Sequence, residues 1–243
     1  MKTTVFAVRT AKEILRDPLT VFFGLGFPLV ILILLTAIQA NIPVSLFEIE
    51  SLAPGIAVFG LSFMTLFSAT LISKDRTGAL LQRLYTTPLT ALDYILGYTL
   101  PIVPIAFCQC LICFAASLIM GMKFSVNVIL AALAIIPISL FFIGLGLLCG
   151  SIFNDKQVGG ICGALLTNLA GWLSGIWFDL ELVGGWFKKI AYIFPFAHAV
   201  ELERAIISGS YEGVLPHVLW VAGYVIASVA AAVIVFTSKM KNN

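Results

Sequence analysis

The chain of 243 residues is 60% hydrophobic and only 11% charged, with a mean hydropathy of +1.08. Soluble domains carry about a quarter charged residues, so a water-soluble globular core is excluded. A net charge of +2 also leaves no basis for a nucleic-acid surface.

In chain order, residues 2–17 ("KTTVFAVRTAKEILRD") interleave Val5, Val8, Ala11 and Leu15 with Lys2, Arg9, Lys12 and Arg16. That pattern predicts an amphipathic helix on a membrane surface, acting as an elbow before the first span or as a plain lipid anchor. Asp17-Pro18 ends it, because a residue before proline avoids helical geometry. Six charge-free runs follow, at 18–47, 51–73, 94–122, 124–154, 157–178 and 213–238. Each exceeds the roughly 20 apolar residues needed to cross a bilayer, where the backbone must bond to itself as helix. The first run is too long for the ~7–15 residues of a signal h-region and is retained.

The expected fold is therefore an all-α integral membrane protein, a single domain over 1–243. Its six transmembrane helices fall at about 19–40, 52–73, 94–120, 127–152, 157–178 and 214–237. An even number of crossings leaves both termini on one side. That side gathers Lys2, Arg9, Lys12, Arg16, Lys74, Arg76, Arg83, Lys156, Lys239 and Lys241, against Lys123, Lys188, Lys189 and Arg204 opposite. The positive-inside rule then puts both termini in the cytoplasm of a cell-membrane protein.

Within the second span, Phe59, Phe63 and Phe67 form an aromatic ridge beside Ser62 and Thr65. It either lines a passage or packs on neighbouring helices. In the fifth, Gly159, Gly163, Thr167, Gly171 and Gly175 recur every four residues. Such a stripe lets another helix approach closely, from a second subunit or from the same chain. Beside it, Asn168 and Trp172 are candidates for a translocation path, since a mid-membrane amide needs a partner or water. Residues 179–212 are too apolar for a solvated loop. A hairpin of two short helices, at the outer interface or re-entrant, is expected there, broken at Gly184-Gly185 and Pro195. Glu201, Glu203 and Arg204 share one turn, as a local salt bridge or a gate.

Catalytic chemistry is missing. The only histidines are His198 and His217, no H-E-x-x-H or G-x-S-x-G occurs, and the charge-free runs hold no acid. The dipeptide Gly-Lys is also absent, so there is no P-loop. Cys110 and Cys113 form a C-x-x-C with no basic neighbour in sequence, which favours packing over redox or metal work. No enzyme, metal site or resident cofactor is expected.

Between spans two and three lies "SKDRTGALLQRLYTTPL". As a helix over 74–90 it puts Leu80, Leu81 and Leu84 on one face with Tyr85 at the edge, and Arg76 and Arg83 on another. Thr87-Pro88 stops it, and Thr90-x-x-Asp93 supplies a capping box for the third span. An apolar ridge flanked by arginines suits a protein groove or anionic lipid.

The pattern "DRTGALLQRLYTTPLT" resembles the cytoplasmic loop of the type-2 ABC transporter permeases, and "FPFAHAVELERAIISG" resembles that family's segment before the last helix. Pro195, His198, Arg204 and Gly209 fall at the matching positions. One departure is that Arg76-Thr77 stands where the family commonly has a glutamate before the glycine. The resemblance implies a dimeric permease, a homodimer, driven by two copies of a separate ATPase subunit that carries ATP and magnesium. Residues 74–90 would be the coupling helix, with Asp75, Arg76, Gly78, Leu80, Leu81, Arg83, Leu84, Tyr85 and Pro88 at the ATPase. Phe59, Ser62, Phe63, Phe67, Gly163, Thr167, Asn168, Gly171, Trp172 and Gly175 would form the path or dimer interface. Pro195, His198, Glu201 and Arg204 would belong to the outer gate. The implied activity is export of an amphipathic or hydrophobic compound, such as a drug, antibiotic or lipid-like molecule. A lipid-linked polysaccharide or teichoic-acid-type glycolipid is the alternative cargo. A membrane sensor or scaffold that transports nothing is the alternative of another class.

Overall fold

The computed structural model describes residues 2–43, 45, 47–78 and 90–241, and every regular element among them is helical. Of the expected coupling segment, Leu80, Leu81, Arg83, Leu84, Tyr85 and Pro88 lie outside the described residues.

Helix α1 spans Lys2–Arg16. Its protein-facing stripe is Phe6, Thr10 and Ile14, all buried, whereas Val5, Val8 and Leu15 point outward. Asp17 ends it and caps the next helix, its carboxylate accepting from the Leu19 and Thr20 N–H groups at 3.1 and 3.3 Å. Helix α2, Pro18–Gln39, carries a π turn at Phe22–Gly26. Pro28 has no N–H for the Gly24 carbonyl, and the widened turn before it absorbs the mismatch.

Helices α3 (Ile49–Thr77), α4 (Ala91–Ile119) and α5 (Val126–Ile152) follow. The expected capping box opens α4, with Thr90 and Asp93 bonding each other's backbone N–H. Among the described residues, five helices are long and apolar enough to cross a membrane: α2, α3, residues 92–119 of α4, α5, and residues 211–238 around α10 (Val214–Lys241).

The fifth expected span takes another form. Helix α6, residues 155–173, is three consecutive stretches with π geometry over Gly159–Leu166. At about 1.5 Å per residue it reaches roughly 28 Å. It stops at Leu173 rather than 178, because Ser174 closes the last turn and Gly175 turns to a φ of +70°. The outer segment holds three short helices rather than the expected pair, because both breaks divide it: α7 (Leu180–Val183), α8 (Gly185–Ala191) and α9 (Pro195–Ser208). Their breaks fall at Gly184-Gly185, both with positive φ, and before Pro195 at the first turn of α9.

Helix α3 is the hub: 89% of its most apolar stretch is buried, against 22% for α2 and 17% for α10. It lies closest to α5. Gly146 and Gly150 of α5 make this possible, since a Cβ at Gly146 would collide with Ser68 Oγ and the Thr65 carbonyl. One at Gly150 would come within 2.5 Å of the Ala69 carbonyl. That is G-x-x-x-G packing within one chain. Thr65 adds a bond across the seam, donating to the Phe142 carbonyl at 2.9 Å.

Candidate functional site

The end of α3 that leads into residues 79–89 is held on three sides. Asp75 is 4% exposed and accepts two bonds from Arg9 of α1, at 2.6 and 2.9 Å. The Tyr98 hydroxyl of α4 donates to the same carboxylate at 2.8 Å, and Glu13 pairs with Arg9 at 2.8 Å. One residue on, Arg76 points to the other side. It donates to the Ser151 carbonyl and, at 2.5 Å, to the Phe153 carbonyl, where α5 ends. A cation at exposed helix-terminal carbonyls is favoured by both hydrogen bonding and the helix dipole. Gly78 is the last described residue here, its N–H bonded to the Lys74 carbonyl at 2.9 Å.

These contacts explain the unusual Arg76-Thr77. The Arg76 guanidinium is taken up by the end of α5, and Thr77 Oγ1 bonds back to the Ser73 carbonyl at 3.0 Å. Arg9 and Tyr98 were not singled out in the sequence. A charge on each of two helices invites the Arg9–Asp75 pairing, but nothing local specifies it. α1 is seated here by Phe6, whose ring meets Tyr98 edge-on at 4.9 Å and occupies the space a Gly97 side chain would need.

The aromatic ridge lies inside the chain. Phe59, Phe63 and Phe67 are 5–6% exposed. Phe63 packs on Phe27 at 5.5 Å and Phe59 on Trp177 at 5.4 Å. Ser62 is buried with its hydroxyl unpartnered among the described residues.

On α6 the glycine stripe is divided. Thr167 and Gly171 are buried, and a Cβ at Gly171 would come 2.5 Å from Trp177 Nε1. Gly163 meets only Leu66, at 3.5 Å, and Gly159 meets nothing. Gly175 has left the helix. The open stripe is one residue along: Gly160, Ala164, Asn168 and Trp172 are all exposed. Asn168 bonds only its own helix, donating to the Ala164 carbonyl at 2.8 Å.

At the outer end, Arg204 of α9 donates to the Ser51 carbonyl at 3.2 Å and the Gly175 carbonyl at 3.1 Å, tying α9 to α3 and to the turn after α6. Its ion pair with Glu201 is long, at 3.5 Å. Pro195 and His198 are buried. His198 Nε2 reaches the Tyr192 carbonyl at 3.0 Å, and its Nδ1 lies 2.9 Å from Nδ1 of His217 on α10. Since Nε2 must donate to the carbonyl, neutral His198 accepts from His217. Burial, reinforced by the charge His217 can carry, holds His198 below its ordinary range. Glu203 is wholly buried, with neither carboxylate oxygen bonded among the described residues. Burial pushes its carboxyl well above the usual range. Cys110 and Cys113 are buried free thiols, and no cluster of metal-ligating side chains occurs among the described residues.

Residues 1–207 match the family model described as ABC-2 type transporter. A search of curated proteins finds no match.

Proposed function

We propose, from the premise that this chain belongs to the ABC-2 type transporter family and is a multi-pass permease component working with an ATPase partner, that it exports an amphipathic or hydrophobic compound as a homodimer. The chain crosses the cell membrane six times, with α6 as the fifth crossing and both termini cytoplasmic, as the lysine and arginine distribution favours. Residues 74–90 dock on the ATPase, which binds ATP and magnesium in two copies.

One observation carries the coupling reading. The α3 end that enters this segment is locked to α1 and α4 through Asp75 and to α5 through Arg76. Movement of the segment is therefore passed to several helices at once, as rigid-body switching around packed interfaces requires. The exposed stripe of α6, with an amide and an indole and no charge, supports an uncharged or amphipathic cargo and a second subunit opposite.

Co-reconstitution with its ATPase tests the proposal. ATP should drive accumulation of an amphipathic dye into inside-out vesicles, and the dye should change the ATPase rate. An ATPase indifferent to the permease sinks the transport reading. Stimulation by a lipid-linked glycan alone assigns the glycolipid cargo.

A further inference from the structure

A groove of about 660 Å³ runs between α1 and the adjoining end of α3. Its apolar lining comes from both helices, Val5 and Val8 of α1 and Phe67 and Leu71 of α3. Three cations stand around it: Lys12, Arg16 and Lys74. All three are exposed, and none has an ion-pair partner among the described residues.

Arg9 is held by Asp75 and Glu13, and Asp17 is bonded to the first turn of α2. Glu13 and Asp17 offset part of the field of Lys74, and the cations still outnumber the acids around an apolar trough at the foot of helices that cross the membrane.

We infer that this groove binds one anionic phospholipid of the adjacent leaflet, its phosphate headgroup among Lys12, Arg16 and Lys74 and an acyl chain along Val5, Val8, Phe67 and Leu71, with Lys74 lining the groove at the start of the segment proposed to dock on the ATPase. An acidic protein segment would answer the cations but not the trough, while a zwitterionic lipid would fill the trough but leave the cations without a net counter-charge. The outward faces of Val5 and Val8 continue the apolar surface into the bilayer.

The test is native mass spectrometry of the full-length permease released from vesicles of equal parts phosphatidylglycerol and phosphatidylcholine. The wild-type chain should retain one phosphatidylglycerol with at least tenfold preference. Each basic residue near an anionic surface is worth about fivefold, so Lys12→Gln/Arg16→Gln/Lys74→Gln should bring the two lipids to parity. Lys123→Gln/Lys189→Gln, which removes cations elsewhere, should leave the preference intact. Lys12→Gln/Lys74→Gln gives a smaller loss should the triple variant fold poorly. A wild-type chain without preference, or a triple variant that keeps it, overturns the assignment. Displacement by soluble glycerol phosphate would show a bare anion site. Loss of the lipid on adding the ATPase would assign the cations to the partner protein.

Discussion

Helices α3 and α6 both carry residues suited to a translocation path, yet they sit in opposite circumstances. In the aromatic ridge of α3, Phe59 and Phe63 are consumed by packing against Trp177 and α2. On α6 the stripe of Gly160, Ala164, Asn168 and Trp172 is bare. The same residue types thus close one chain on itself along α3 and, on the proposed dimer, meet a second subunit along α6. Variants that treat the two helices alike should therefore behave differently.

The largest contrast is between two glycines. Gly146→Leu drives a side chain into the backbone of α3, where no flexible neighbour can yield, so no folded permease should survive detergent extraction. A Cβ at Gly160 has no neighbour within 4 Å among the described residues, so Gly160→Leu should melt within about 0.5 kcal/mol of wild type while interfering with assembly. Thermal unfolding in detergent and sizing in nanodiscs check both. Next comes the lock on α3. Arg9→Gln strands the buried Asp75, and removing one partner of a buried pair costs about 3–5 kcal/mol. Because Arg9 is 38% exposed, the loss should fall near 2–3 kcal/mol, with transport uncoupled from ATP hydrolysis. Equal stability of Arg9→Gln and wild type would remove the lock.

A smaller effect is expected at Phe63. Phe→Ala in a soluble core costs about 3–5 kcal/mol. Here lipid replaces water in the loosened state, so packing alone is lost and about 1–2 kcal/mol should go. Trp172→Ala should leave stability unchanged and lower transport. The smallest effect is at the outer end. His198 has a lowered proton affinity when folded, so the unfolded chain binds more protons as the pH drops. Its contribution is complete above about pH 6.5 and disappears as the pH falls through the lowered value. Melting between pH 7.5 and 5 should decline in wild type and less in His198→Gln. A melting temperature that rises on acidification would contradict the neutral His198–His217 contact.

Much of the fold was legible because it depends on local chemistry. Asp17-Pro18, Thr90-x-x-Asp93 and Gly184-Gly185 each fix a boundary by capping or by φ, and each boundary lies where the sequence puts it. Helix orientation about its own axis was not legible. In a membrane both the lipid-facing and protein-facing sides are apolar, so hydropathy does not separate Val5 and Val8 from Phe6 and Ile14. For the same reason the glycine period of α6 does not mark its open face, which runs through the neighbouring Asn168 and Trp172. The tight α3–α5 seam had a signal, Gly146-x-x-x-Gly150, but it was overshadowed by the longer stripe downstream. Arg9–Asp75 and Arg76 at the end of α5 join residues 66 to 77 positions apart, which no local pattern encodes.

Disulfide cross-linking in the intact membrane separates the two helices most directly. Single cysteines are placed at Asn168 or at Phe63 in a background where the exposed Cys108 is serine, with the ATPase co-expressed. Oxidation should join two permease chains through Asn168→Cys and stop ATP-driven transport until a reductant is added, while Phe63→Cys stays monomeric. Cross-linking through Phe63→Cys with none through Asn168→Cys would contradict the assignment of the open face of α6 to the second subunit and the path.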